Sequence, residues 1–186
     1  MKKVYEYGGL IATTLLIVFG VGAIVAGFAG RDQVRGDLAR EGIVGTPDMK
    51  NVANAKIDTG AKARDFAAGM RVHTLAATGG QTYSQMARYQ GKNGKPTNEE
   101  SQAAINPKSG KPVDNPARQI WVTETALSTA LNTSYFAERV ALFSIVMGFA
   151  LLLAGAGFGV ITLRVLRREP SDAKVVVPKV AAPVAT

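Results

Sequence analysis

The sequence predicts an all-α membrane protein, a two-transmembrane-helix antiparallel hairpin with a mainly helical extracytoplasmic domain between the spans. Two apolar runs without a charged residue, 8–30 and 140–163, support this prediction. The third observation is the long polar segment, 31–139, that separates them. At about 1.5 Å rise per residue, each run makes a helix that crosses the roughly 30 Å hydrocarbon layer of a bilayer.

The first run has two interpretations, a retained transmembrane helix or a cleaved signal peptide. Lys2 and Lys3 supply the basic start of a signal, and Gly27-Phe28-Ala29 resembles a weak cleavage site. The apolar core of a signal is only about 7–15 residues long. Because the run 8–30 is longer than that, retention is favoured and cleavage is the alternative.

The second run favours a protein that crosses the cell membrane twice. Positive residues flank the outer ends of both runs: Lys2 and Lys3 come before the first, and Arg164, Arg167, Arg168 and Lys174 follow the second. Lys and Arg concentrate on the cytoplasmic side, so the N-terminus (1–7) and the tail (164–186) are predicted to be cytoplasmic, the tail disordered. Arg31, Arg35 and Arg40 lie on the opposite side, but long loops weigh little in this rule.

The segment 31–139 begins with helical patterns. Residues 31–42 continue the first helix as far as Gly42, and Thr46-Pro47-Asp48 predicts a turn. The segment 61–78 predicts a second helix, stopped by Gly79-Gly80 and weakened by about 1 kcal/mol at Gly69. We expect its core residues to be Phe66, Met70 and Leu75, and a short helical piece is expected around Thr82–Tyr89.

The middle of this segment, residues 90–115, is predicted to be flexible. It is rich in Gly, Pro, Asn, Ser and Lys and has few apolar residues to bury. Its GKNGKPT stretch is not a phosphate-binding loop, because Tyr89 stands where that motif needs a glycine.

A long helix is predicted from Asn115-Pro116 into the second run. Asparagine is a favoured N-cap and proline a favoured first helical residue. Ile120, Leu127 and Leu131 form an apolar stripe for packing, and Trp121 is expected in the core of the outer domain.

Small residues repeat at steps of three and four in both runs, which favours close helix packing in a membrane. In an antiparallel arrangement they predict the pairs Gly27 with Ala141, Gly20 with Gly148, and Thr13 with Gly155. The two stripes are Gly9, Thr13, Leu16, Gly20, Ala23, Gly27 and Gly30 in the first run and Ala141, Ser144, Gly148, Leu151, Gly155 and Gly159 in the second.

The net charge of +8 does not indicate nucleic-acid binding. The basic residues are interleaved with acids, as in RDQVRGDLARE, and no aromatic residues alternate with them as base-stacking platforms do. The chain has no cysteine, which excludes disulfides and thiolate metal sites. The expected partners are the lipid bilayer and another membrane protein or a second copy of the chain.

Two stretches resemble a known family: HTLAATGGQTY (73–83) and TALSTALNTSYFAERVA (125–141). Together with the terminal spans they look like a family of small actinobacterial membrane proteins of unknown function, some of which carry the label aromatic ring-opening dioxygenase. The resemblance covers most of the chain except residues 90–118 and the tail. It implies two membrane helices around an extracytoplasmic domain and no catalytic residues.

The residues do not support that label or another enzymatic activity. A facial-triad iron site needs two histidines and a carboxylate, and the chain has only His73. His73 with Asp65 or Glu41 as a general base is less favoured than a histidine on the apolar face of helix 61–78. The sequence therefore predicts no catalytic, cofactor-binding or metal-ligating residue and no cofactor.

Three functions fit these observations. The favoured one is a non-enzymatic accessory subunit or envelope scaffold that acts through protein–protein contacts of its outer domain. The alternative is an extracytoplasmic ligand-binding or sensing module. A channel or transporter subunit is third, because neither run contains an ionisable residue that would mark a pathway.

Overall fold

The structure is a computed structural model that describes residues 2–167, with side chains for residues 7–164. Within these residues it is mostly helical, as predicted. In chain order the elements are α1 (Lys2–Arg40), α2 (Gly60–Ala77), β1 (Tyr89–Gln90), β2 (Pro96–Thr97), a 3-10 turn (Glu100–Gln102) and α3 (Pro116–Arg167). The predicted disordered tail lies outside the described residues from position 168 onward.

Helices α1 and α3 are long and apolar enough to cross a membrane. Their most apolar windows have mean hydropathies of 2.4 and 2.3. Only 6% of the α1 window and 22% of the α3 window is buried, whereas the core helix of a soluble protein is mostly buried. Large side chains such as Phe19 (67% exposed) and Leu153 (75% exposed) project outward instead.

The described residues divide into two compact units. Unit 1 comprises residues 2–22 and 147–167, and unit 2 comprises residues 23–146. Both α1 and α3 contribute to each unit, whereas α2, β1 and β2 belong to unit 2.

Unit 1 packs α1 against α3 through small residues. A Cβ added at Gly20 would lie 2.9 Å from the carbonyl oxygen of Gly148, and one added at Gly9 would lie 2.5 Å from Oγ1 of Thr162. Both separations are shorter than van der Waals contact, so the helices approach this closely only because glycine lacks a side chain.

The register in unit 1 differs from the predicted one at Thr13. Its Cγ2 lies 3.2 Å from the Cβ position of Gly159, one turn further along α3 than the predicted partner, Gly155. Gly155 instead accommodates Leu16 and Ile17, whose atoms lie 3.2 and 3.0 Å from its Cβ position. The spacing of small residues gives the contacting faces, but the bulk of the opposing side chains decides which glycine each residue meets.

Unit 2 contains the predicted contact between Gly27 and Ala141, with 2.7 Å between the Cβ position of Gly27 and the carbonyl oxygen of Ala141. Its hydrophobic core lies where the end of α1, the loop 43–57, α2 and α3 meet. The most buried core residues are Leu38, Met49, Val52, Ile57, Ala63, Ala67 and Leu131.

Helix α2 confirms the helix predicted over 61–78. Thr59 caps its start, because the Thr59 hydroxyl accepts from the N–H of Lys62 at 3.4 Å. At its end Gly79 and Gly80 take φ values of 63° and 79°, and the N–H of Gly80 donates to the carbonyl of Leu75 at 2.7 Å. These left-handed conformations favour glycine and end the helix.

Helix α3 begins at Pro116, as predicted. The side chain of Asn115 accepts from the N–H of Ala117 at 3.1 Å and donates to the carbonyl of Ala87 at 2.8 Å. One turn later, the indole of the buried Trp121 donates to the carbonyl of Gln81 at 2.9 Å. The prediction that Trp121 is a core residue is confirmed by its burial.

The segment 90–115, for which composition predicts flexibility, contains β2, the 3-10 turn and a set of backbone hydrogen bonds. Its N-terminal part pairs β1 with β2, and short backbone hydrogen bonds such as Ala104 N to Gln90 O (2.8 Å) tie the later residues back to β1. Asparagine side chains close its turns, since Asn106 Oδ1 accepts from the N–H of Lys108 at 2.9 Å. Local hydrogen bonds thus replace the missing apolar core. The preceding residues 81–88 form turns and not the expected helix.

Candidate functional site: an apolar pocket in unit 2

A pocket of about 640 Å³ opens between α1, the loop 43–57, α2 and α3 of unit 2. Ligand pockets of proteins typically have volumes of about 300–1,000 Å³ and mostly apolar walls. The floor is the hydrophobic core itself, because buried Leu38, Met49 and Leu131 all face the pocket. The apolar lining is Leu38, Ile43, Met49, Phe66, Met70, Leu127, Ala130 and Leu131.

The loop 43–57 forms one wall because its two ends are hydrogen-bonded together. The N–H of Ile57 donates to the carbonyl of Ile43 at 2.9 Å, and the N–H of Gly45 donates to the carbonyl of Ala55 at 3.0 Å. A Cβ at Gly45 would lie 1.9 Å from the carbonyl oxygen of Val52, so glycine is required there. The predicted turn at Thr46-Pro47-Asp48 lies inside this closed loop.

Met49 couples the loop to α2. It is 5% exposed, and its Cγ lies 2.9 Å from the position of a Cβ on Gly69. The glycine that weakens α2 by sequence criteria therefore gives Met49 the space to pack against the helix. Methionine is flexible and polarisable, so Met49 and the half-buried Met70 can adapt their conformations to different apolar ligands.

Two polar residues that line the pocket, Thr46 and His73, contact Asp48, which lies just outside the lining; the other polar lining residues are Asp37, Glu41 and Ser134. His73 Nε2 lies 2.5 Å from Oδ2 of Asp48, and the hydroxyl of Thr46 donates to the other carboxylate oxygen at 2.5 Å. The hydrogen bond from Thr46, followed by that from His73, lowers the pKa of Asp48 below its ordinary value. His73 is thus paired with Asp48 and not with Asp65 or Glu41, the two partners that the sequence offered.

A second groove, of about 460 Å³, shares Met70 and Leu127 with the pocket and continues along α2 and α3. Its lining includes Ile120, and the structure corrects the stripe predicted for α3 here. Leu131 is buried, but Ile120 and Leu127 are 43% and 48% exposed, because they border the open groove instead of packing on a helix.

One carboxylate lies in this groove. Glu124 is only 6% exposed and accepts a hydrogen bond of 2.7 Å from the hydroxyl of Ser128. The hydroxyl of Thr125 donates a longer bond of 3.4 Å to the other oxygen. A carboxylate retains acceptor capacity after two such bonds, so a ligand with a donor group at one end fits here.

Another polar cluster of unit 2 is centred on Glu138 of α3. Its Oε1 accepts from Nε of Arg35 at 2.7 Å and from Nε of Arg31 at 3.2 Å, and its Oε2 accepts from the N–H of Gly60 at 2.7 Å. Burial raises the pKa of Glu138, but the hydrogen bonds from Arg35, Gly60 and Arg31 outweigh burial and lower it overall. This carboxylate joins α1, the start of α2 and α3.

Sequence reasoning missed the residues that matter most in these sites, Asp48, Met49, Glu124 and Glu138. The three acids are visible in the sequence, but a single acid on a helix or after a proline is usually solvent-exposed and does not by itself indicate a site. No group of three or more His, Asp or Glu side chains able to hold a metal ion occurs among the described residues.

No family model matches the chain, and no curated protein or solved structure shows significant similarity to it. The resemblance to the actinobacterial membrane family stays a prediction, and function is argued from the geometry of unit 2.

Proposed function

We propose that the chain is a non-enzymatic integral membrane protein whose extracytoplasmic segment, residues 31–139, binds an apolar small molecule. In this arrangement residues 8–30 of α1 and 140–163 of α3 cross the cell membrane, both termini are cytoplasmic, and residues 31–139 lie outside. The outward-facing large apolar side chains of both helices support the two membrane spans.

The observation that supports ligand binding is the pocket in unit 2. Its size suits a small molecule, and apolar atoms dominate its lining. Together with the adjoining groove it offers an elongated, mainly apolar surface that carries a few polar side chains, among them His73 and Glu124. A molecule with an apolar body and a hydroxyl or amine at one end complements this surface.

Ligand binding is tested by introducing a side chain that fills the pocket and excludes the ligand. Ala130→Phe adds a ring on an exposed α3 residue that lines the pocket, and Ala126→Phe adds the same ring one turn earlier, outside the lining. Both proteins are extracted in polymer-bounded native membrane discs, and apolar molecules that copurify are quantified by mass spectrometry. Ala130→Phe should reduce recovery of the bound molecule about tenfold, the effect of about 1.4 kcal/mol.

The control variant should recover the molecule at the wild-type level. Equal recovery from Ala130→Phe, Ala126→Phe and the wild type, or no specific molecule from any of them, contradicts ligand binding in the pocket.

Topology is tested with introduced cysteines, because the chain has none of its own. A membrane-impermeant maleimide should label Ser109→Cys in intact cells and Ser171→Cys only after lysis. The opposite pattern would place residues 31–139 in the cytoplasm.

A second candidate function is the accessory subunit or scaffold favoured by the sequence. One observation favours it: apolar side chains of unit 2 are exposed outside the two charge-free runs, among them Val72, Ile105 and Val122 at 64%, 51% and 47%. The same native-disc purification separates the candidates, because a stoichiometric protein partner in place of a small molecule supports the scaffold.

A further inference from the structure

An arginine borders each charge-free run at the end next to the segment 31–139. Arg31 directly follows the first run, and Arg139 directly precedes the second. The structure places both along one small cleft of about 180 Å³, together with Arg35, Glu138 and Leu142.

The charges along this cleft do not balance. Three guanidinium groups face one carboxylate, and Arg31 and Arg35 share a single oxygen of Glu138 through their Nε atoms. Their terminal nitrogens take no part in these two bonds. The side chains of Arg31 and Arg35 are 36% and 38% exposed, so both remain open to a further partner.

A fourth arginine, Arg64, adds to the positive charge and contacts the same aromatic ring as Arg139. Arg139 lies 5.0 Å from the ring centroid of Tyr135, and Arg64 lies 5.1 Å from it and donates to its hydroxyl at 3.1 Å. Of the acids close by, Asp58 already binds Lys62 at 2.8 Å. The local surplus is positive, and an anion would relieve it.

We propose that this cleft binds the phosphate of an anionic phospholipid. The inference rests on the membrane-crossing part of the proposed function, which puts residues 31 and 139 at the level of the lipid headgroups. Guanidinium groups bind phosphate oxygens in pairs of parallel hydrogen bonds. Basic pockets between membrane helices on the cytoplasmic side hold lipid headgroups, and the same chemistry applies to a headgroup of the opposite leaflet.

A lipid is favoured over free phosphate because the cleft continues into an apolar surface. Leu142 lines the cleft and is 40% exposed, and Phe143 beside it is 64% exposed. An acyl chain can lie along these side chains while its phosphate contacts the arginines. The site also gives a role to the arginines that oppose the usual charge distribution of membrane proteins.

The test compares lipid binding by full-length variants in nanodiscs that contain phosphatidylglycerol and phosphatidylcholine. Arg31→Gln with Arg139→Gln removes two cleft charges but keeps the 2.7 Å bond from Arg35 to Glu138, so Glu138 retains an ionic partner. Lys95→Gln with Lys108→Gln removes the same charge from exposed residues of unit 2 and serves as the control. Bound phosphatidylglycerol is counted by native mass spectrometry after release from the disc.

The wild type and the lysine control should retain phosphatidylglycerol, and the arginine variant should retain about tenfold less, as expected for one lost charge-assisted contact. Excess inorganic phosphate should not displace the lipid. Equal retention by all three proteins overturns the lipid site, and displacement by inorganic phosphate shows a phosphate site that does not need lipid. A chain that fails to enter nanodiscs refutes the membrane spans themselves, a result distinct from the other two.

Discussion

The backbone N–H of Gly60 donates a 2.7 Å hydrogen bond to Oε2 of Glu138, and a Cβ on this glycine would fall 2.8 Å from Cα of Tyr135. Gly60 is the first residue of α2, where N–H groups have no partner within the helix. The carboxylate supplies that partner and also carries the charge that a helix N-terminus favours. One close contact thus fixes the start of α2 on α3.

Replacing this glycine should destabilise unit 2. Because the atoms that a Gly60→Ala methyl group would meet include α3 backbone, they cannot rotate away, and the helices must separate. We expect a loss of about 1–3 kcal/mol in the free energy of unfolding, the usual effect of overpacking. Denaturant unfolding followed by the fluorescence of Trp121, the only tryptophan of the chain, measures this value.

Gly36→Ala is the matched control. Gly36 lies within α1, and a Cβ there would meet no atom within 4 Å. Alanine favours a helix over glycine by about 1 kcal/mol, so this variant should be neutral or more stable. A similar loss in both variants would mean that the contact with α3 is unimportant.

Acid should weaken unit 2 through Glu138. Its pKa in the folded protein lies below the ordinary value of 4.5, so above that pH the ionised carboxylate contributes stability. That contribution is lost as the pH falls through the lowered pKa, because the unfolded chain then binds a proton more readily. Glu138→Gln should therefore unfold more easily than the wild type at pH 7, and the difference should shrink towards pH 3.

Unfolding midpoints measured between pH 7 and pH 3 provide the test. Asp48 and Asp58 also have lowered pKa values, so the wild type keeps part of its acid sensitivity in any variant. Glu100→Gln, at an exposed residue, should follow the wild-type curve. A Glu138→Gln curve parallel to that of the wild type would contradict the role of this carboxylate.

Sequence patterns predicted the helices because their signals are local. The charge-free runs, the Asn115-Pro116 start of α3 and the Gly79-Gly80 stop of α2 all depend on neighbouring residues. The burial of Trp121 was also predictable, since it lies too far from the second run to serve as a membrane-interface residue.

The pocket and the Glu138 cluster were not predictable from local signals. Glu138 binds Arg31 and Arg35 from more than a hundred residues away along the chain, and no spacing rule joins them. The groove beside the pocket depends on Ile120 and Leu127 staying exposed, whereas an apolar stripe by itself predicts burial. The turns of the segment 90–115 depend on hydrogen bonds that composition does not predict.

Phe66 should be a core residue of unit 2 although it also lines the pocket. Phe66→Ala removes a ring that packs on the hydrophobic core. We expect the free energy of unfolding of unit 2 to fall by about 2–3 kcal/mol, which is small for such a change because the ring is only half-buried. Val72→Ala on the same helix should change stability by less than about 0.5 kcal/mol, since Val72 is 64% exposed. Trp121 fluorescence during denaturant unfolding measures both; equal stability of Phe66→Ala and the wild type would exclude Phe66 from the core.

The register of α1 on α3 in unit 1 should be visible in disulfide crosslinking, because the chain has no native cysteine to interfere. The pair Gly20→Cys with Gly148→Cys should crosslink within one chain, since only 2.9 Å separates the Gly20 Cβ position from the Gly148 carbonyl oxygen.

The more discriminating comparison is Thr13→Cys combined with a cysteine at either Gly159 or Gly155. The structure favours Gly159, which lies 3.2 Å from Thr13 Cγ2, whereas the spacing of small residues alone favours Gly155. Phe19→Cys with Phe149→Cys, at residues that are 67% and 53% exposed, is the control and should stay uncrosslinked. Mass shifts on non-reducing gels, with a dilution series to separate intrachain from interchain bonds, give the readout. Faster crosslinking of Thr13 with Gly155 would support the register predicted from the sequence, and crosslinks only between chains would mean that the small residues serve oligomerisation.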